Sequence, residues 1–88
     1  MQQGYVVSGR VQGVGFRWWT QKTGAGLGLG GTVLNLPDGS VEVHAHGAEA
    51  SMEKFSGLLR KGPWSAVVET VEHIPSSGSL PESFEVIF

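Results

Sequence analysis

The chain has 88 residues, 40% of them hydrophobic and 16% charged, with a formal net charge of −2 and no cysteine. This length and balance suit one globular core with no second lobe, so residues 1–88 read as a single domain. The missing cysteines exclude disulfides, thiolate catalysis and cysteine metal sites, and the weak negative charge argues against a nucleic-acid binder that depends on a broad basic surface. One local cationic pocket stays compatible with that charge. The first residues, Met-Gln-Gln-Gly-Tyr-Val-Val-Ser, lack a basic region followed by an apolar run, and no apolar stretch approaches membrane-spanning length. The expectation is therefore a cytoplasmic protein with no membrane partner, and a monomer by default.

Residues Gly4 to Val11 read as a strand, with Tyr5 and Val7 alternating against Val6 and Ser8. Three glycines within seven residues, Gly9, Gly13 and Gly15, then break the strand, and Arg17 closes the stretch. Glycines let successive backbone N–H groups turn inward, a helix N-terminus adds unpaired donors, and arginine offers a charged fork for two oxygens. The stretch lacks the Gly-Lys-Ser/Thr ending of a nucleotide P-loop and does not continue as a dinucleotide fingerprint. It reads as a cradle for a small phosphate.

Phe16 to Leu27 follows as a helix, with Phe16, Trp19, Thr20, Thr23 and Leu27 on its core side. Gly24 and Gly26 weaken its last turn, and close approach to the sheet is the expected reason. Gly30 to Leu36 is a second strand, with Val33 and Asn35 on one face and Thr32 and Leu34 on the other. Pro37-Asp38-Gly39 makes the turn. In the third strand, Ser40 to His46, Val41, Val43 and Ala45 alternate with Glu42, His44 and His46. Ala48 to Lys61 is a second helix with an apolar stripe of Met52, Phe55, Leu58 and Leu59, acidic early and basic late. Ala66 to Ile74 is a fourth strand, with a bulge expected between Val68 and Val71. A serine- and glycine-rich loop then leads to a short C-terminal strand in which Phe84, Val86 and Phe88 alternate. The order βαββαβ predicts an α+β ferredoxin-like split βαβ sandwich: an antiparallel sheet, two helices on one face, and a short extra C-terminal strand.

Two signatures in this sequence resemble the acylphosphatase family. Val7-Ser8-Gly9-Arg10-Val11-Gln12-Gly13-Val14-Gly15-Phe16-Arg17 is similar to the first. Leu27-Gly28-Leu29 with Gly31, Val33, Asn35, Asp38-Gly39 and Val41 is similar to the second, and Gly62-Pro63, Ala66 and Val68 to a weaker third. The resemblance covers essentially the whole chain. It implies hydrolysis of small acyl phosphates to carboxylate and inorganic phosphate, without a metal or cofactor. It also implies that Arg17 and Asn35 are the catalytic pair, and that Gly9, Arg10, Val11, Gln12, Gly13, Val14, Gly15 and Phe16 bind the phosphate. The residues alone leave Asn35 open between a turn-capping role before Pro37 and a polar group on a core-facing strand position that needs partners.

Other readings are weaker. The same fold reads single-stranded RNA where its central strands carry exposed aromatics, yet Tyr5 is the one aromatic available here beside Glu42, His44 and His46. His44 and His46 share a strand face, but the sequence supplies no third ligand for a metal. An acylphosphatase-like domain serving a larger enzyme is a further alternative, against which a free-standing chain carrying both Arg17 and Asn35 argues. Trp18 is expected either to border the site or to stand half exposed.

Overall fold

The computed structural model describes all 88 residues. Strand β1 (Gln2–Arg10) leads to helix α1 (Phe16–Gly26), strands β2 (Gly30–Asn35) and β3 (Val41–His46), helix α2 (Glu49–Lys61), strand β4 (Val67–Ile74) and strand β5 (Phe84–Ile87). One five-stranded sheet has the order β4-β1-β3-β2-β5. This is the expected α+β ferredoxin-like arrangement, with element ends shifted by a residue or two.

The core follows the predicted alternation. Tyr5 and Val7 of β1, Val33 of β2, and Val41, Val43 and Ala45 of β3 are fully buried against Phe16, Met52, Phe55 and Leu59 from the helices. Each large apolar side chain removed from water in this way contributes about 1.5–3 kcal/mol before chain entropy is counted. Tyr5 therefore belongs to the interior, edge-on to Phe55 at 5.9 Å, and offers no platform for a base. Leu58 departs from the expected stripe and is partly exposed. One residue of separation turns it about 100° from Leu59 around the helix, off the buried side.

The β1–β4 register shifts opposite Ser8 and Gly9, leaving Glu69 as the extra residue of the expected bulge. Gly24 meets the sheet closely: a Cβ there would lie 2.5 Å from the Phe84 ring. Gly26 has no such neighbour, so crowding does not account for it.

The last strand corrects the picture of a wholly antiparallel sheet, because β5 runs parallel to β2. The cause lies in the Pro75–Ser83 connection. Ser76 accepts a hydrogen bond from the Gln2 amide and contacts His44 Nδ1, His46 Nε2 donates to the Pro81 carbonyl, and the Gly31 N–H donates to the Ser83 carbonyl. The connection thus crosses the end of the sheet where β1 and β2 begin. β5 must then run in their direction and finish at the end where α1 starts. The two histidines on the outer sheet face serve as pegs for this crossing, His44 also pairing with Glu42 at 2.9 Å.

Candidate active site

The glycine loop leaves β1 at its Arg10 end. Gly9 still belongs to the sheet, opposite Val68, and a Cβ there would collide with the Val67 carbonyl oxygen. Gly13 and Gly15 differ. Both have positive φ, 75° and 79°, with open space where a Cβ would stand, so the backbone conformation itself calls for glycine. Gly15 caps α1, and the first helical bond runs from the Trp19 N–H to the Gly15 carbonyl at 3.0 Å. The N–H groups from Val11 to Trp18 donate to no backbone carbonyl. They form a run of free donors that ends at the positive pole of a helix.

Two side chains brace the loop from outside. The Gln12 amide donates to the carbonyls of Leu36 and Ser40, each at 2.8 Å, and the Ser65 hydroxyl donates to the Val14 carbonyl at 2.9 Å. The loop is held between the β2–β3 turn and the α2–β4 connection. The turn itself is closed by Asp38, whose carboxylate accepts from the backbone N–H and hydroxyl of Ser40. Those bonds hold the Asp38 carboxyl below the usual carboxylate range.

A cavity of about 130 Å³ opens over the loop, lined by Val11, Gly13, Gly15, Phe16, Arg17, Trp18 and Asn35. It is well under the roughly 300 Å³ at which drug-sized ligand pockets begin, and suits a phosphoryl group better than a nucleotide. Arg17 is its one charged lining residue, and no carboxylate faces the space. A larger opening of about 210 Å³ lies elsewhere, beside Arg60 and Val68 to Val71, but it includes Glu69 and no helix N-terminus.

Asn35 closes β2, paired with Val41, and its Oδ1 is buried without a hydrogen-bond partner. A buried acceptor left unpaired is costly, about 1–3 kcal/mol, and calls for an explanation in what it faces. Asn35 lines the same cavity as Arg17. Of the residues expected to bind phosphate, Val11, Gly13, Gly15 and Phe16 line that cavity. Gly9 and Arg10 stay in the β1–β4 pairing, while Gln12 and Val14 support the loop from behind.

The sequence offered no signal for what holds Arg17. Its guanidinium donates to the Ile87 carbonyl at 3.2 Å and lies 4.9 Å from the centroid of the Phe88 ring. The parallel β5 brings both residues to the start of α1. Trp18 does border the site, and it is also 56% exposed.

Comparison with known proteins agrees with this architecture. The acylphosphatase family model matches residues 3–86. An acylphosphatase of Archaeoglobus fulgidus is 45% identical over 82 residues, covering 93% of this chain and 92% of its relative. The structure of an acylphosphatase from Coxiella burnetii superposes with a TM-score of 0.90 at 35% identity, over 98% of this chain and 90% of that one. The crystal structure of acylphosphatase from Bacillus subtilis superposes at 0.86 with 32% identity, over 99% and 98%. With its fold and nearly its whole length shared with these proteins, the chain belongs to the acylphosphatase family.

Proposed function

We propose that this chain hydrolyses small acyl phosphates, cleaving the bond between phosphorus and the acyl oxygen. The observation that carries the reading is the convergence of three features on one small cavity: the free N–H groups of the glycine loop, the Arg17 fork, and the unpartnered Oδ1 of Asn35.

In this reading the loop N–H groups and Arg17 bind the phosphoryl oxygens and stabilise the charge that grows on them. Asn35 accepts a hydrogen bond from water through Oδ1 and aligns it for in-line attack. An amide has no useful proton affinity, so Asn35 orients the water without deprotonating it. The water oxygen bonds to phosphorus, the P–O bond to the acyl group breaks, and its electron pair leaves on the carboxylate. A phosphate oxygen takes the water's proton. A carboxylate leaves readily, so no acid is needed to protonate it, and Arg17 with the loop N–H groups provides the positive potential without a metal or cofactor.

The reading takes residues 1–88 as one domain working as a monomer in the cytoplasm, with inorganic phosphate and related anions as competitors for the cradle. The test is hydrolysis of benzoyl phosphate followed by absorbance, with Asn35→Ala as control. Turnover well above the control supports the proposal, and a rate no higher than the control overturns it.

A further inference from the structure

Two exposed aromatic rings from distant parts of the chain meet beside the cavity. Trp18, in the first turn of α1, lines the cavity and is 56% exposed. Phe88, just beyond β5, is 88% exposed. Their centroids are 6.5 Å apart at an interplanar angle of 58°, within the range of tilted aromatic pairs. Phe88 also stacks with the Arg17 guanidinium, 4.9 Å from its ring centroid. Exposed apolar rings are common singly, but a pair joined beside a polar cavity forms a surface that water solvates poorly.

We infer that Trp18 and Phe88 form the seat of the acyl group, and that the protein selects aromatic and extended apolar acyl phosphates over acetyl phosphate. The inference rests on the proposed hydrolysis. The cavity measures about 130 Å³, so once it holds the phosphoryl group a flat aromatic acyl group extends past it. The Asn35 Oδ1 is buried, which places the attacking water at the closed end. In-line displacement puts the leaving oxygen on the opposite side of phosphorus, toward the open end. Trp18, the most exposed large side chain of the lining, marks that end, and Phe88 packs against it. A flat acyl group there covers ring surface that is otherwise wet, whereas an acetyl group is too short to do so.

The experiment separates binding from turnover by using two non-hydrolysable probes, acetylphosphonate and benzoylphosphonate, titrated calorimetrically. Wild-type protein should bind the benzoyl probe more tightly, and Trp18→Ala should reduce that preference by about tenfold, the scale of an aromatic contact with its buried area. Trp18→Phe should keep most of the preference. Trp64→Ala removes a tryptophan that is 98% exposed and absent from the cavity lining, and should leave the preference unchanged. Equal affinity for the two probes in wild type, no binding of either, or an unaltered ratio in Trp18→Ala would overturn the seat. Turnover of acetyl and benzoyl phosphate is measured separately. Selective binding without hydrolysis would sustain the seat while overturning the hydrolase reading.

Discussion

The side-chain amide of Gln12 donates to the backbone carbonyl of Leu36 at 2.8 Å, joining the glycine loop to the residue that follows Asn35. Its second N–H reaches Ser40 across the same turn at an equal distance. The two halves of the site, a loop after β1 and a strand end on β2, are thereby held in one frame. Gln12→Ala removes both bonds and should lower stability by about 1–2 kcal/mol, measured by urea denaturation. It should also lower kcat/KM about tenfold or more, because misplacing one half of a site weakens alignment in the transition state. An activity equal to wild type would show that the loop keeps its place without this bridge.

Arg17 offers a sharper contrast between charge and shape. Arg17→Lys keeps the positive charge but loses the planar fork and the stack on Phe88. We expect kcat/KM for an acyl phosphate to fall about 100-fold or more, within the range for loss of a preorganised donor to the transition state. Arg17 is only partly buried and its one protein hydrogen bond is long, so the melting temperature should change little. Steady-state kinetics and thermal melts on the same preparation check both halves of this expectation.

Two buried side-chain oxygens, Asn35 Oδ1 and Thr20 Oγ1, lack hydrogen-bond partners, and their replacement should have opposite consequences. Thr20 is fully buried on the core side of α1, away from the cavity lining. Thr20→Val should stabilise the fold by about 1 kcal/mol, since it removes an unpaired hydroxyl at nearly constant shape, and should leave turnover alone. Asn35→Ala should reduce kcat by about 100-fold or more with little loss of stability. Stability curves and rates for the two variants test the distinction. An Asn35→Ala protein that turns over normally would remove Asn35 from the reaction.

Two ionisable groups with shifted pKa values, Asp38 and Tyr5, each contribute to how stability depends on pH. Asp38 has a folded pKa held down by Ser40, so its contribution is present above the unfolded carboxylate pKa and is lost as pH falls through the folded value. Asp38→Asn should flatten the acid limb of the stability curve. Burial pushes the Tyr5 phenol above its ordinary value of 10.0, outweighing the opposing effects of the Ser56 hydrogen bond and the Arg60 charge. The folded state then holds this proton more tightly than the unfolded chain does. Stability should decline as pH rises beyond about 10, and Tyr5→Phe should remove that decline. Denaturation midpoints across pH measure both. The rate should vary little through neutrality apart from substrate ionisation, because His44 and His46 are engaged at the far end of the sheet and neither lines the cavity.

Much of the fold was legible from local pattern. The alternation of Val41, Val43 and Ala45 against Glu42, His44 and His46 defined a half-buried strand, and the spacing of Met52, Phe55 and Leu59 defined a buried helix face. These periodicities come from backbone geometry, which every residue carries with it. Leu58 misled because a neighbour of a core residue looks the same in an apolar run. Tyr5 misled because strand alternation says which residues share a face and not which face is covered.

For the proposed site, the sequence by itself determined the candidate groups: a glycine loop, an arginine at its end, and an asparagine on the core-facing side of a strand. Those are properties of residue type and local conformation. The tertiary structure alone decided that Gln12 would bind Leu36 and that Ser65 would hold Val14. It also decided that β5 would return parallel to β2 and set Ile87 and Phe88 against Arg17. Each of these joins residues 24 to 71 positions apart, and their meeting depends on where the chain crosses the sheet. Strand direction and long-range contact are consequences of topology, which no short stretch of residues encodes.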